Sequence, residues 1–118
     1  MMRLILVIAA LLLGAPPAAA HAFLTRASPA VGSTIRSAPA EITLRFSERI
    51  EPAFSSLQVT GPNGERVDGA DMQVKGTEPM VMHASLRKLA AGTHKVVWRV
   101  VSVDTHVTDG DFTFTVAP

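Results

Sequence analysis

From residue 41 to the C-terminus, runs with apolar side chains at every second position recur. Ile42, Leu44 and Phe46 alternate with Thr43 and Arg45; Leu57 and Val59, then Met80, Met82 and Ala84, then Phe112, Phe114 and Val116 repeat the pattern. A period of two puts one set of side chains on one face of an extended strand, and no run after His21 follows the 3.6-residue period of a helix. The longest candidate, His94 to Val103, carries Val96, Trp98 and Val100 on one face and Val97, Val101 and Val103 on the other. That double apolar face predicts a central strand, although Lys95 and Arg99 interrupt the second face. Pro29, Pro39, Pro52 and Pro79 fall between the runs, where they break no ladder hydrogen bond. Gly61-Pro62-Asn63-Gly64 is a dense turn signal, and the polar stretch from Gly61 to Gly76 reads as a turn, a short hairpin or a mobile loop. Short strands separated by turns at such intervals predict an all-β sandwich or barrel, with His94 at a strand start as a surface residue.

The first twenty residues follow different rules. Met1, Met2 and Arg3 precede an unbroken apolar run, Leu4 to Leu13, and then two prolines and Ala18-Ala19-Ala20. A basic start, a short apolar stretch and a small-residue ending form a secretory signal peptide. The run is too short for a membrane span, which needs about 20 apolar residues. Cleavage after Ala20 is expected, although Ala20-His21-Ala22 also permits a cut after Ala22. The signal peptide is thus 1–20 and the mature domain 21–118, long enough for one domain and not two. An exported destination, the periplasm or its equivalent, follows.

Without Arg3 the mature chain has ten basic and ten acidic residues. Formal neutrality gives no electrostatic footprint for nucleic acid and no polybasic patch for membranes. The chain has no cysteine. Disulfides, a thiolate nucleophile and a blue-copper centre, which needs a Cys sulfur, are all excluded.

Cleavage after Ala20 would leave His21 with a free α-amine as well as its imidazole. The amine nitrogen and ring Nδ1 can close a six-membered chelate on a metal, and an α-amine titrates near about 8, far more easily than lysine. Asp104 and His106 stand two apart at the end of the longest strand candidate, so in extended backbone both project from one face. Together the three residues offer three nitrogens and one oxygen, a donor set suited to tetragonal Cu(II). Protons compete for such nitrogens, so binding through them is expected to weaken as pH falls through the range of free imidazole, about 6.5.

The mature sequence resembles the CopC family of periplasmic copper-binding, copper-resistance proteins. The resemblance rests on His21, Ser28-Pro29-Ala30 with Gly32-Ser33, Leu44-x-Phe46-Ser47-Glu48, and Leu89-x-Ala91-Gly92-Thr93. It continues through Val96 to Arg99, Val101-Ser102-x-Asp104-Thr105-His106, Gly110 and Phe112. It implies a small Greek-key β-sandwich or barrel of cupredoxin-like shape, with His21, Asp104 and His106 as ligands of one Cu(II) ion. It also implies Glu48 as a residue behind the ligands, near the N-terminal amine. Some members carry a methionine-rich Cu(I) loop. Here that pattern is thin: Met80 and Met82 share a face with Ala84 and read as core, with His83 opposite. Met80, Met82 and His83 are the candidates for a weaker Cu(I) site.

The resulting expectation is a monomeric copper carrier, buffer or sequestering factor in copper homeostasis, not an enzyme. Its implied partners are the copper ion and an inner-membrane copper transporter or another periplasmic copper protein. Two other classes compete. An N-terminal histidine chelate also resembles the histidine brace of lytic polysaccharide monooxygenases, but a chain with no Tyr and one Trp has little with which to grip a polymer. A metal-free immunoglobulin-like module for adhesion or assembly would share the composition and lack only a reason for His21, Asp104 and His106. No Ser–His spacing suggests a hydrolytic triad.

Overall fold

The structure, a computed structural model, describes residues 21–118; the expected signal peptide lies outside the described residues. Seven strands follow in order: β1 (Leu24–Ser28), β2 (Thr34–Ile35), β3 (Glu41–Phe46), β4 (Ser56–Thr60), β5 (Val81–Ser85), β6 (Gly92–Val101) and β7 (Val107–Val116). A short 3-10 turn, Pro52–Phe54, precedes β4. They form two sheets, β1-β3-β5 and β2-β7-β6-β4, antiparallel apart from the two-residue pairing of β2 with β7. Every connection except the β6–β7 hairpin crosses from one sheet to the other, which makes the molecule the expected all-β sandwich.

Alternation fills the space between the sheets. Ile42, Leu44 and Phe46 of β3 and Met82 and Ala84 of β5 meet Leu57 and Val59 of β4, Val96, Trp98 and Val100 of β6, and Phe112, Phe114 and Val116 of β7. Phe46 and Trp98 join the two layers edge to face at 5.1 Å between centroids. Each large apolar side chain so buried contributes about 1.5–3 kcal/mol. Gly110 lies opposite Trp98 in the β6–β7 register, and a β-carbon there would stand 2.5 Å from the indole Cζ2. The strand therefore requires glycine at the position the indole covers.

For β6 one expectation holds and one is corrected. The strand is central in its sheet as expected, with one face buried and the other open: Val97 is 44% exposed. His94, expected at the surface, is fully buried and stacks on Phe114 at 5.2 Å, its Nδ1 within 3.1 Å of the Gly92 carbonyl. It shares parity with Val96, Trp98 and Val100, so the pleat carries it inward whatever its polarity.

The stretch from Gly61 to Gly76 is ordered as a turn followed by single bridges. Gly64 N–H donates to the Gly61 carbonyl, and Thr60 pairs with Arg66, Asp68 with Leu86, and Gln73 with His83. The anchor is the Asp68 carboxylate, 1% exposed, which accepts from the Val59 and Ala70 amides and from the Arg66 guanidinium at 2.8–3.1 Å. Burial pushes the Asp68 carboxyl up, but the Arg66 guanidinium and the two amides outweigh it and hold the group below the usual carboxylate range. This segment covers β5, and Val81 through Ala84 are all buried.

Candidate metal centre

The residues singled out by the sequence meet where the β6–β7 hairpin turns. Ser102 N–H donates to the His106 carbonyl at 2.9 Å and Thr105 N–H to the Ser102 carbonyl at 2.8 Å. Thr105 adopts φ +71°, the left-handed residue that commonly follows the tight turn of a short hairpin loop. Asp104 and His106 therefore sit in a turn, not in the extended backbone expected of them. The turn still brings them together: Asp104 Oδ2 lies 3.1 Å from His106 Nδ1. The Ser102 hydroxyl donates to Asp104 Oδ1 and, with its residue buried, fixes the carboxylate from below. Ser102 first, and then His106, hold the Asp104 carboxyl below the usual range against some desolvation.

The N-terminal segment is fastened beside this turn. Ala22 is buried, and its carbonyl accepts from the Thr108 hydroxyl of β7 at 2.8 Å. Ser47, just past β3, accepts from the Phe23 amide at 2.8 Å through its hydroxyl and donates to the His21 carbonyl at 3.2 Å. Its own amide donates to the Phe23 carbonyl at 2.9 Å. These bonds tie residues 21–23 to both sheets and set the His21 ring against that of His106, with centroids 4.9 Å apart and planes at 68°. Phe23 packs edge-on to His21 at 6.3 Å and is 62% exposed.

One atom of this cluster lacks a partner. Nδ1 of His21 is buried and makes no hydrogen bond; among the described residues only His94 Nε2, deep in the core, shares that condition. Leaving a buried polar atom unsatisfied costs about 1–3 kcal/mol, so such an atom beside a second imidazole is shaped for a ligand. With Nδ1 of His106 turned to Asp104, the remaining nitrogen of that ring is its free donor. In the metal-free site Asp104 fixes the orientation of the His106 ring through that contact. Side chains alone do not close a cage: among the described residues, no three His, Asp or Glu groups converge as a metal site.

Of the other candidates, Glu48 is half-buried and its side chain makes no hydrogen bond or ion pair among the described residues. Its neighbour Ser47 holds the N-terminal segment instead. Met82 is buried in the core, Met80 is half-buried ahead of β5, and His83 faces the other way. Both ring nitrogens of His83 are engaged, Nδ1 with Glu41 and Nε2 with Glu78, each at 3.0 Å. The structure thus sets His106 against both His21 and Asp104 and leaves Met80, Met82 and His83 without a common face. The positioning roles of Ser47, Ser102 and Thr108 were missed; the first two lie inside the motifs quoted above, and Thr108 carries no sequence signal.

Comparison with known proteins points the same way. A family model described as CopC domain matches residues 24–117. Protein YobA of Escherichia coli strain K12 is 39% identical over 102 residues, 86% of this chain and 82% of that one. Copper resistance protein C of Pseudomonas syringae pv. tomato is 39% identical over 105 residues, covering 84% of this chain and 82% of its own. Among solved structures, that of CopC from Methylosinus trichosporium OB3b superposes with a TM-score of 0.77 at 33% identity, covering 83% of this chain and 95% of its own.

Proposed function

Because the chain belongs to the CopC family, we propose that its mature form is an exported copper-resistance protein that binds one Cu(II) ion as cargo at the His21–His106 cluster. Signal cleavage after Ala20 frees the α-amine of His21, which then chelates the ion together with Nδ1 of the same residue. His106 supplies a third nitrogen through Nε2, and Asp104 supplies the oxygen, exchanging both its Ser102 and its His106 Nδ1 contacts for the metal. Three nitrogens and a carboxylate match the preference of Cu(II) for tetragonal N,O ligation. The observation that carries this reading is the buried, unpartnered Nδ1 of His21, held by Ser47 and Thr108 beside a second imidazole.

The half-exposed His106 and Asp104 leave the site open to solvent, as exchange of cargo requires. The protein carries, buffers or sequesters copper in the periplasm as a monomer and without catalysis, handing it to or from a membrane transporter or another copper protein. Among the described residues, no helix is long and apolar enough to cross a membrane. The test is electron paramagnetic resonance of Cu(II) added to the protein beginning at His21. One equivalent should give a single tetragonal signal with nitrogen hyperfine structure, and further copper should behave as aqueous ion. A signal lacking nitrogen couplings, or several equivalents bound alike, would overturn the proposal.

A further inference from the structure

The outer face of the three-stranded sheet sets two arginines side by side, neither with an ion-pair partner among the described residues. Antiparallel register sets Arg26 of β1 directly across from Arg45 of β3, and Arg45 across from Val81 of β5. The next row on that face is Ser28, Thr43 and His83. Ile42, Leu44 and Phe46 have the opposite parity and fill the core, so this face looks outward. Like charges directly opposite on neighbouring strands destabilise a sheet unless something lies between them. Neither guanidinium reaches ion-pair distance of a carboxylate among the described residues. The two nearby carboxylates are committed elsewhere: Glu41 Oε1 and Glu78 Oε2 each lie 3.0 Å from a ring nitrogen of His83. Arg26, Ser28, Thr43 and Arg45 line a cavity of about 230 Å³, with Glu78 and His83 on its wall.

We infer that this cavity binds a small free oxyanion of the phosphate or sulfate class. Two guanidinium forks on adjacent strands present several donors to one tetrahedral ion, and charge-assisted bonds of this kind are about twice as strong as neutral ones. The hydroxyls of Ser28 and Thr43 lie on the same face and add uncharged donors. The volume is below the ~300–1,000 Å³ typical of sites for larger organic ligands, which favours a compact ion. The bound anion removes the repulsion between Arg26 and Arg45, so its binding stabilises the β1–β3 pair. This inference does not depend on the copper site, which uses none of these side chains.

The experiment is titration of the mature protein with sodium phosphate, followed by amide NMR shifts and melting temperature, against sodium chloride at matched ionic strength. Phosphate should produce saturable shifts centred on Arg26, Thr43 and Arg45 with a roughly millimolar midpoint, and should raise the melting temperature where chloride does not. The Arg26→Gln/Arg45→Gln variant should bind at least about tenfold more weakly, lose the thermal gain and keep its Cu(II) affinity. Should that variant fail to fold, Arg45→Lys keeps the charge without the fork and should weaken phosphate binding several-fold. Shifts that do not saturate, that match those of chloride, that scatter over other basic residues, or that persist in the variants would overturn the inference.

Discussion

Replacing His106 with alanine is expected to weaken Cu(II) binding by at least about 100-fold while leaving the fold intact. Loss of groups that merely orient a metal ligand lowers affinity by about 10–100-fold, and a ligand counts for at least as much. The side chain is 48% exposed, and the hairpin is fastened by its main chain, Ser102 N–H to the His106 carbonyl. Surface changes of this kind move stability by about 0.5 kcal/mol or less, so the melting temperature should hardly shift. Competition against a chelator of known affinity, run beside thermal unfolding, reads both quantities. An affinity within about threefold of the parent would remove His106 from the ligand set.

The largest effect on stability is expected at Asp68. Asp68→Ala should lower the free energy of unfolding by about 2–3 kcal/mol at neutral pH, because it leaves the Val59 and Ala70 amides without their acceptor and the half-exposed Arg66 guanidinium without its partner. The pH dependence has a definite sign. The folded carboxyl titrates below its unfolded value of about 3.9, so its contribution is complete above that pH and is lost as pH falls through the depressed folded value. Urea unfolding of parent and variant should therefore differ most at pH 7 and converge toward pH 2. A gap that stays constant down to pH 2 would mean the ionised carboxylate is not what matters there.

The sequence disclosed the strands that bury one face. β3, β4, β6 and β7 follow from alternation alone, because the pleat converts a period of two directly into an inside and an outside. β1 did not show itself: in Leu24-Thr25-Arg26-Ala27-Ser28 a bulge between Leu24 and Arg26 breaks the register, and no residue is fully buried. β2 is two residues long and parallel to β7, a pairing set by the rest of the sheet and not by its own side chains. Polarity misplaced His94, although counting by two from Val96 would have put it inside. Asp68 looked like one more polar residue in a glycine-rich loop, since its partners at Val59 and Ala70 are main-chain amides that carry no sequence signature.

The geometry around the candidate ligands was not legible in the sequence. His106 meets both His21 and Asp104, but through a left-handed Thr105 and a turn rather than along one strand face. The proximity of the N-terminus to that turn depends on Ser47 and Thr108, whose donor roles appear only once β3 and β7 are placed in opposite sheets.

The central claim is that the α-nitrogen of His21 completes the copper site, and adding one residue ahead of it tests this directly. Cu(II) affinity should be measured by competition for the protein beginning at His21 and for the same protein preceded by a single alanine. The account predicts tight one-to-one binding by the first and a loss of roughly 100-fold or more in the second, with unchanged thermal stability of the copper-free forms. Equal affinity in the two proteins, or binding by neither, would contradict it.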